Sequence, residues 1–156
     1  MVNIMLPDGS VREFDGPVSG DELAASISKS LAKAAVAVRV DGELKDIYLP
    51  IEQDATVEIV TRDSEDGVEL LRHDCAHVMA EAVKELYPDT QVTIGPTIDN
   101  GFYYDFSREE RFTPEDLEKI EARMREIVKR DEPIRREVWD RNEAVKFFED
   151  MGERYK

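Results

Sequence analysis

The stretch AVAVRVDGEL, residues 35–44, decides the fold predicted for the first part of the chain. Within it, Val36, Val38 and Val40 alternate with other side chains, which is typical of a strand with one buried face. The pair Asp41-Gly42 is a tight-turn signal and predicts a hairpin into a second strand at residues 43–48. Paired strands therefore organise this part of the chain.

A helix is predicted just before that hairpin. Ser19 and Glu22 have the spacing of a capping box, in which each side chain bonds the backbone amide of the other at a helix start. An apolar face follows at helical spacing, formed by Leu23, Ile27 and Leu31.

Three more strands complete the first domain. Residues 2–6 and 11–14 are extended runs joined by a turn rich in proline and glycine, and residues 56–61 supply the last strand. The predicted order is ββαβββ, and the predicted domain covers residues 1–62.

The second half of the chain, residues 63–156, also mixes helices and strands. Its acidic start at residues 63–67 predicts a linker, and a long helix is expected at about residues 68–86, ended by Pro88. The later elements are strands at residues 91–94, 102–106 and 133–139, with turns at Gly95-Pro96 and Asn100-Gly101, and helices that begin after Thr113 and Asp140. The apolar stripe predicted for the first of these helices is Leu117, Ile120, Met124 and Ile127. Both halves together predict an α+β protein.

Composition limits the function classes. The chain has 156 residues, a net charge of −15 and one cysteine, Cys75, so an internal disulfide is impossible. Nothing in it resembles a membrane helix or a secretory leader, and the expected compartment is the cytoplasm. Because a protein that grips nucleic acid by neutralising phosphates is normally basic, any such role must depend on a local site or on another part of a larger protein.

The two histidines of the chain, His73 and His77, lie four residues apart in the predicted long helix. This spacing stacks them on one helix face, opposite the apolar side that includes Leu71 and Cys75. They can be exposed side chains without a role, ligands of a zinc ion, or bases that activate a water. The metalloprotease motif fails here, since Asp74 stands where that motif has glutamate.

A hydrolytic base also needs a pocket that holds the substrate. The candidates are the turn Gly95-Pro96 and the aromatic run at residues 102–104. Alternating aromatic side chains at Phe102, Tyr104 and Phe106 are equally compatible with packing between strands.

Two motifs resemble a known family. The sequences LRHDCAH at residues 71–77 and IGPTIDNGFYYDF at residues 94–106, in this order behind a ββαβββ module, are similar to the N-terminal region of bacterial threonyl-tRNA synthetases. The resemblance implies that residues 1–62 form a TGS domain, which is a ubiquitin-like β-grasp module. It also implies that residues 63–156 are the first part of the editing domain, incomplete in this chain.

The family resemblance implies a role for each candidate residue. Serine lacks one methyl group of threonine, and a binding pocket gains only about 1–3 kcal/mol from that difference, so these enzymes hydrolyse mischarged seryl-tRNA at a second site. By resemblance, His73 and His77 position or activate the water, and Lys156 stabilises oxyanion charge. Gly95 lies near the terminal adenosine, and Tyr104 contacts the end of the substrate.

The resemblance further implies a division of labour within a longer protein. The family completes its editing site with a downstream Cys-x-x-x-His element, and ATP, Mg²⁺ and Zn²⁺ belong to a catalytic domain, all beyond this chain. The resemblance therefore implies a truncated fragment without a cofactor or metal of its own, inactive or only partly active in editing. The expected partner is the acceptor end of threonine tRNA, without a membrane, and the intact enzyme is expected to be a homodimer.

Three alternatives remain open at this point. The chain can be a stand-alone binding or regulatory module of the TGS type, in which the histidines have no catalytic role. It can be a small zinc-dependent hydrolase. It can also be related to the editing domain of alanyl-tRNA synthetase, although the leading β-grasp module and the Gly-Phe-Tyr-Tyr run favour the threonyl enzyme.

Overall fold

A mixed five-stranded sheet forms the centre of the first of two units in the computed structural model, which describes residues 1–155. The first unit covers residues 1–71, and the second begins at Arg72. The strands of the first unit are β1 (Val2–Met5), β2 (Val11–Phe14), β3 (Ala35–Val40), β4 (Glu43–Asp46) and β5 (Ala55–Thr61). They lie in the order β2-β1-β5-β3-β4. The pair β1 and β5 is parallel, whereas the other neighbours are antiparallel.

The turn between β3 and β4 has the predicted form. Asp41 and Gly42 both have positive φ angles, 49° and 87°, as a two-residue hairpin turn of the I′ type requires. This turn pairs Val40 with Glu43 and so fixes the register of the hairpin.

The core of the first unit lies between the sheet and the helix α1 (Gly20–Ile27). Ile4, Leu23, Val38 and Val57 are at most 1% exposed. At the helix start, the Glu22 carboxylate accepts a hydrogen bond from the Ser19 amide at 3.0 Å, which confirms this half of the predicted capping box.

The single helix predicted after Ser19 is in fact two helices. α1 stops at Ser28, whose backbone is extended (φ −164°, ψ 153°), and α2 (Lys29–Ala34) begins directly after it. The Ser28 hydroxyl accepts from the Leu31 amide at 3.1 Å and thereby caps the new helix. A serine that offers the backbone an alternative partner explains the break.

The acidic stretch predicted as a linker is instead the start of helix α3 (Glu65–Leu86). Ser64 precedes the helix, and its hydroxyl accepts from the Gly67 amide at 3.1 Å. Glu65 and Asp66 then lie at the positive end of the helix dipole, where carboxylates are stabilising.

Within residues 72–155 of the second unit, four short strands form two ladders. β6 (Gln91–Val92) pairs with β9 (Phe106–Ser107), and β7 (Thr97–Ile98) forms a hairpin with β8 (Gly101–Phe102). The predicted strands at residues 91–94 and 102–106 are therefore interrupted. Proline has no amide hydrogen to donate, so Pro96 cannot continue a regular ladder. The turn lies at residues 99–100, one position before the predicted Asn100-Gly101.

Helix α4 (Pro114–Arg130) supplies much of the second core. The helix begins after Thr113, as predicted, and the Thr113 hydroxyl accepts from the Asp116 amide at 3.3 Å. The Asp116 carboxylate in turn accepts from the Thr113 amide at 3.0 Å. Of the predicted stripe, Ile120 and Ile127 are buried and Met124 is partly buried, but Leu117 is 60% exposed. Within α3, Ala82 and Val83 pack in the same cluster, whereas Leu71, also expected on the apolar side, is 46% exposed.

The predicted strand at residues 133–139 is wrong. This segment has no regular structure and is exposed throughout, with Ile134 at 90% and Val138 at 78%. No strand within the described residues 1–155 pairs with it, and an extended run without a partner cannot form a sheet.

Helix α5 (Arg141–Asp150) begins after Asp140, as predicted. The Asp140 carboxylate caps its start by accepting from the Asn142 amide at 2.8 Å. At its end Gly152 has a φ of 75°, and the amides of Gly152 and Glu153 bond back to Glu149 and Phe148 in a Schellman motif. Across residues 1–155, we find no helix with the length and apolar character needed to cross a membrane.

Candidate functional site

Helix α3 presents the two histidines together on one face. The Nε2 atoms of His73 and His77 are 3.0 Å apart, and the ring centroids are 4.6 Å apart with an angle of 80° between the planes. One of these two ring nitrogens carries a hydrogen and donates it, and the other accepts it through its lone pair. Both side chains are exposed, outside the packed interior.

Small residues next to the histidines allow a second segment to come close. Ala76 and Ala80, on this side of α3, are 1% and 8% exposed. The burial of Ala80 shows that the face carrying the histidines is covered next to the imidazoles.

Residues 93–97 and Tyr104 lie against this face of α3 and form with it an open cavity of about 420 Å³. Its lining is His73, Ala76 and His77 from α3, residues 93–97 from the turn after β6, and Tyr104. This volume lies within the range of about 300–1,000 Å³ that is usual for small-molecule sites. The imidazoles therefore open onto a concavity of ligand size.

Gly95 and Tyr104 fit against each other in the wall opposite the histidines. A Cβ atom at Gly95 would lie 2.2 Å from Cδ2 of the Tyr104 ring, so only glycine permits this approach. The Tyr104 ring also stacks on Phe106, with centroids 5.0 Å apart and planes 19° apart. Packing on both sides thus fixes the tyrosine at the cavity.

Of the other aromatic candidates, Phe102 and Tyr103 do not line the cavity. Tyr103 is 53% exposed, and Phe102 lies in the β8 strand of the hairpin. Of the aromatic run at residues 102–104, only Tyr104 lines the cavity. Phe106 packs against the Tyr104 ring.

Cys75 is not part of the histidine site. It does not line the cavity, and burial raises the pKa of its thiol, which disfavours the thiolate needed for metal binding or nucleophilic attack. Among residues 1–155, no three His, Cys, Asp or Glu side chains are grouped so that they could hold a metal ion. The pair of imidazoles thus lacks a third ligand in the described part of the chain.

Lys156, the remaining candidate, lies outside the described residues. The segment before it is fixed by contacts that sequence reasoning did not find. The Glu153 carboxylate accepts from Lys84 Nζ at 2.7 Å, and the Arg154 amide donates to the Gln91 side chain at 3.0 Å. These partners are about 60 to 70 positions apart in sequence, so no local pattern could reveal them.

Comparison with known proteins gives two findings. The TGS domain family matches residues 2–61, and this domain is a ubiquitin-like β-grasp. Over its whole length, the chain is 65% identical to a threonine–tRNA ligase of Parvibaculum lavamentivorans, and it covers 24% of that protein. The chain is also 65% identical to the threonine–tRNA ligase of Paramagnetospirillum magneticum and covers 25% of it. It is 63% identical to that of Rhodospirillum rubrum and covers 24% of it.

The chain corresponds to the N-terminal region of threonine–tRNA ligases. It spans about a quarter of the length of these relatives. The match to the TGS domain family covers all five strands of the mixed sheet in the first unit. This finding also confirms the α+β fold class predicted from the sequence.

Proposed function

We propose that residues 63–156 are the first part of a threonine–tRNA ligase editing domain, and that His73 and His77 take part in hydrolysis of seryl-tRNA there. The observation that supports this most directly is the pair of imidazoles, with Nε2 atoms 3.0 Å apart, at a cavity of about 420 Å³. Its other wall contains Gly95 and Tyr104, which are fixed by mutual packing.

The reaction requires a base and a held ester. The imidazole that donates through its Nε2 keeps a free lone pair on Nδ1. That nitrogen accepts a proton from a water, and the water oxygen forms a bond to the carbonyl carbon of the seryl ester. The bond from that carbon to the ribose oxygen then breaks, and the proton passes to the leaving ribose oxygen. The products are serine and uncharged tRNA, without a change in oxidation state.

The reaction is needed because binding alone discriminates weakly between threonine and serine. A pocket that accepts threonine gains only about 1–3 kcal/mol over serine, which is roughly a 10- to 200-fold preference. A second site that hydrolyses the smaller product raises this accuracy. We further propose that the longer protein attaches threonine to its tRNA, and that Lys156 stabilises the oxyanion during editing.

The acidic composition suggests how tRNA is held. With a net charge of −15, this chain cannot supply a broad phosphate-binding surface. In our proposal the chain engages the acceptor end of the tRNA at the histidine cavity, and other parts of the ligase make most of the phosphate contacts.

The test is single-turnover deacylation of seryl-tRNA and threonyl-tRNA by a full-length ligase that carries this N-terminal region. We expect His73→Ala and His77→Ala each to slow seryl-tRNA deacylation by about 100-fold or more, in line with loss of a general base. Threonine attachment should stay unchanged. The matched control is Asp74→Asn, an exposed neighbour on α3 that does not line the cavity.

Unchanged deacylation in both histidine variants would reject the proposal. It would favour the alternative that this region is a binding module of the TGS type with idle histidines. The 156-residue chain alone, assayed in parallel, is expected to be far slower than the full-length ligase.

A further inference from the structure

A row of four aromatic rings leads from the histidine cavity towards the start of α4. The Tyr104 ring, which lines the cavity, stacks on Phe106 with centroids 5.0 Å apart. Phe106 contacts Phe112 edge to face at 5.9 Å, and Phe112 contacts Tyr87 in the same way at 5.7 Å. Each ring of this aromatic row packs on the next, so a displacement of one ring is passed to its neighbours.

The far end of the aromatic row is attached to α4. The Tyr87 hydroxyl donates to the Asp116 carboxylate at 2.7 Å. The same carboxylate accepts from the Thr113 amide at the start of the helix, at 3.0 Å. Tyr87 therefore cannot turn away without breaking a hydrogen bond to the helix cap.

Arg108, which directly follows β9, packs on two rings of the aromatic row. Its Cζ atom lies 4.5 Å from the ring centroid of Tyr87 and 4.5 Å from that of Phe112. The side chain is only 16% exposed, and its closest approach to the Glu110 carboxylate is 3.7 Å. Its Nη1 atom is buried without a hydrogen-bond partner among residues 1–155. Attraction between the cation and the two ring faces therefore offsets much of the cost of burying this guanidinium.

We propose that Arg108 is a positioning residue for the editing site: through the aromatic row, it keeps the Tyr104 ring in the wall of the histidine cavity. This inference rests on the proposed function, in which that cavity holds the seryl ester. Arg108 does not line the cavity itself, so it acts on the ester only through the rings. An error of about 1 Å in the placement of a group beside the substrate can cost about 100-fold in rate.

The first test follows the position of the Tyr104 ring without any enzyme assay. One α-hydrogen of Gly95 points at this ring, because a Cβ atom in its place would lie 2.2 Å from Cδ2. The ring current shifts the NMR signal of a hydrogen held so close, so the two α-hydrogens of Gly95 should give well-separated signals in the 156-residue chain. We expect this separation to shrink in Arg108→Ala and in Phe112→Leu. Arg108→Lys should restore most of it, because an ammonium group is also attracted to ring faces.

The matched control for this test is Arg123→Ala. Arg123 is also an arginine of the second unit, but its guanidinium pairs with the carboxylates of Glu85 and Glu126. Its loss should leave both Gly95 signals in place. Unchanged Gly95 signals in both Arg108→Ala and Phe112→Leu would overturn the inference, whatever the activity of the ligase.

The second test asks whether the effect passes through Tyr104. In the full-length ligase, Arg108→Ala should slow seryl-tRNA deacylation about tenfold or more. In a Tyr104→Ala background, the same substitution should have no further effect. An equal slowing in both backgrounds, or none in the first, would overturn the positioning role. Failure of the histidine variants to slow deacylation would instead count against the proposed function, and the Gly95 signals would still report whether Arg108 holds the ring.

Discussion

Gly95 is the residue at which the cavity wall tolerates least change. The Tyr104 ring occupies the space where a side chain would begin, 2.2 Å from the Cβ position. A methyl group there must push the ring, and with it Phe106, out of place.

We therefore expect Gly95→Ala to lower the free energy of unfolding of the second unit by about 1–3 kcal/mol, as overpacking does. Seryl-tRNA deacylation in the full-length ligase should fall with it. Urea unfolding followed by circular dichroism measures the first effect. Gly16→Ala is the control, because a Cβ at Gly16 meets nothing within 4 Å. Equal stability of Gly95→Ala and the unmodified chain would show that the ring moves freely.

Structural features that depend only on neighbouring residues were predictable from the sequence. The turn at Asp41-Gly42 and the cap between Thr113 and Asp116 depend on neighbours within three positions, so the sequence contains all the information. The stacking of His73 and His77 follows in the same way from helical spacing. The cavity opposite them does not, because the positions of Gly95 and Tyr104 depend on packing against Phe106 and α3.

At the level of elements, the break between α1 and α2 depends on one side chain. The Ser28 hydroxyl caps α2 through the Leu31 amide. We expect Ser28→Ala to destabilise the first unit by about 1 kcal/mol, the usual cost of losing such a cap. Thermal unfolding measures this, with the exposed Lys29→Ala as control. A stability equal to that of the control would mean that α1 and α2 can join into one helix without cost.

We expect acid to weaken the contact between α3 and α4. Hydrogen bonds from Arg130, supported by Arg123, lower the pKa of Glu85 to about 2. At the start of α4, bonds from the Thr113 amide and the Tyr87 hydroxyl lower the pKa of Asp116 to about 2. In an unfolded chain these carboxyl groups have pKa values of about 4.

Because both pKa values are lowered on folding, the carboxylates stabilise the second unit above about pH 4, and this contribution is lost as the pH falls towards 2. Thermal unfolding between pH 5 and pH 2.5 should show this loss. The double variant Glu85→Gln and Asp116→Asn should be less stable at pH 5 and less dependent on pH. The same slope in the double variant would assign the acid sensitivity to other groups.

Element boundaries were harder to predict where a long-range partner decides them. Residues 133–139 have the composition of a strand, but a strand exists only if another one pairs with it, and none does within residues 1–155. Pro96 interrupts the ladder at the cavity because it has no amide hydrogen to donate. This effect is local, so it could have been predicted from the sequence.

At the scale of the whole molecule, the first unit has a core of its own. Its buried cluster consists entirely of residues between Val2 and Val57. We expect residues 1–71, produced alone, to unfold in a single cooperative transition, and Leu23→Ala to lower its stability by about 2–5 kcal/mol because the side chain is fully buried. Urea denaturation and two-dimensional NMR check this. A poorly dispersed spectrum of the isolated unit would contradict it.

The parallel pairing of β1 with β5 has a mechanical consequence for this unit. The two strands lie at opposite ends of its sequence but side by side in its sheet, with Ile4 opposite Ala55. A force that pulls the two ends apart acts along the strands and loads their hydrogen bonds in shear rather than one after another. Forced unfolding depends on a rate rather than on an equilibrium. Pulling the two ends of this unit apart must therefore break the hydrogen bonds of this pair of strands together.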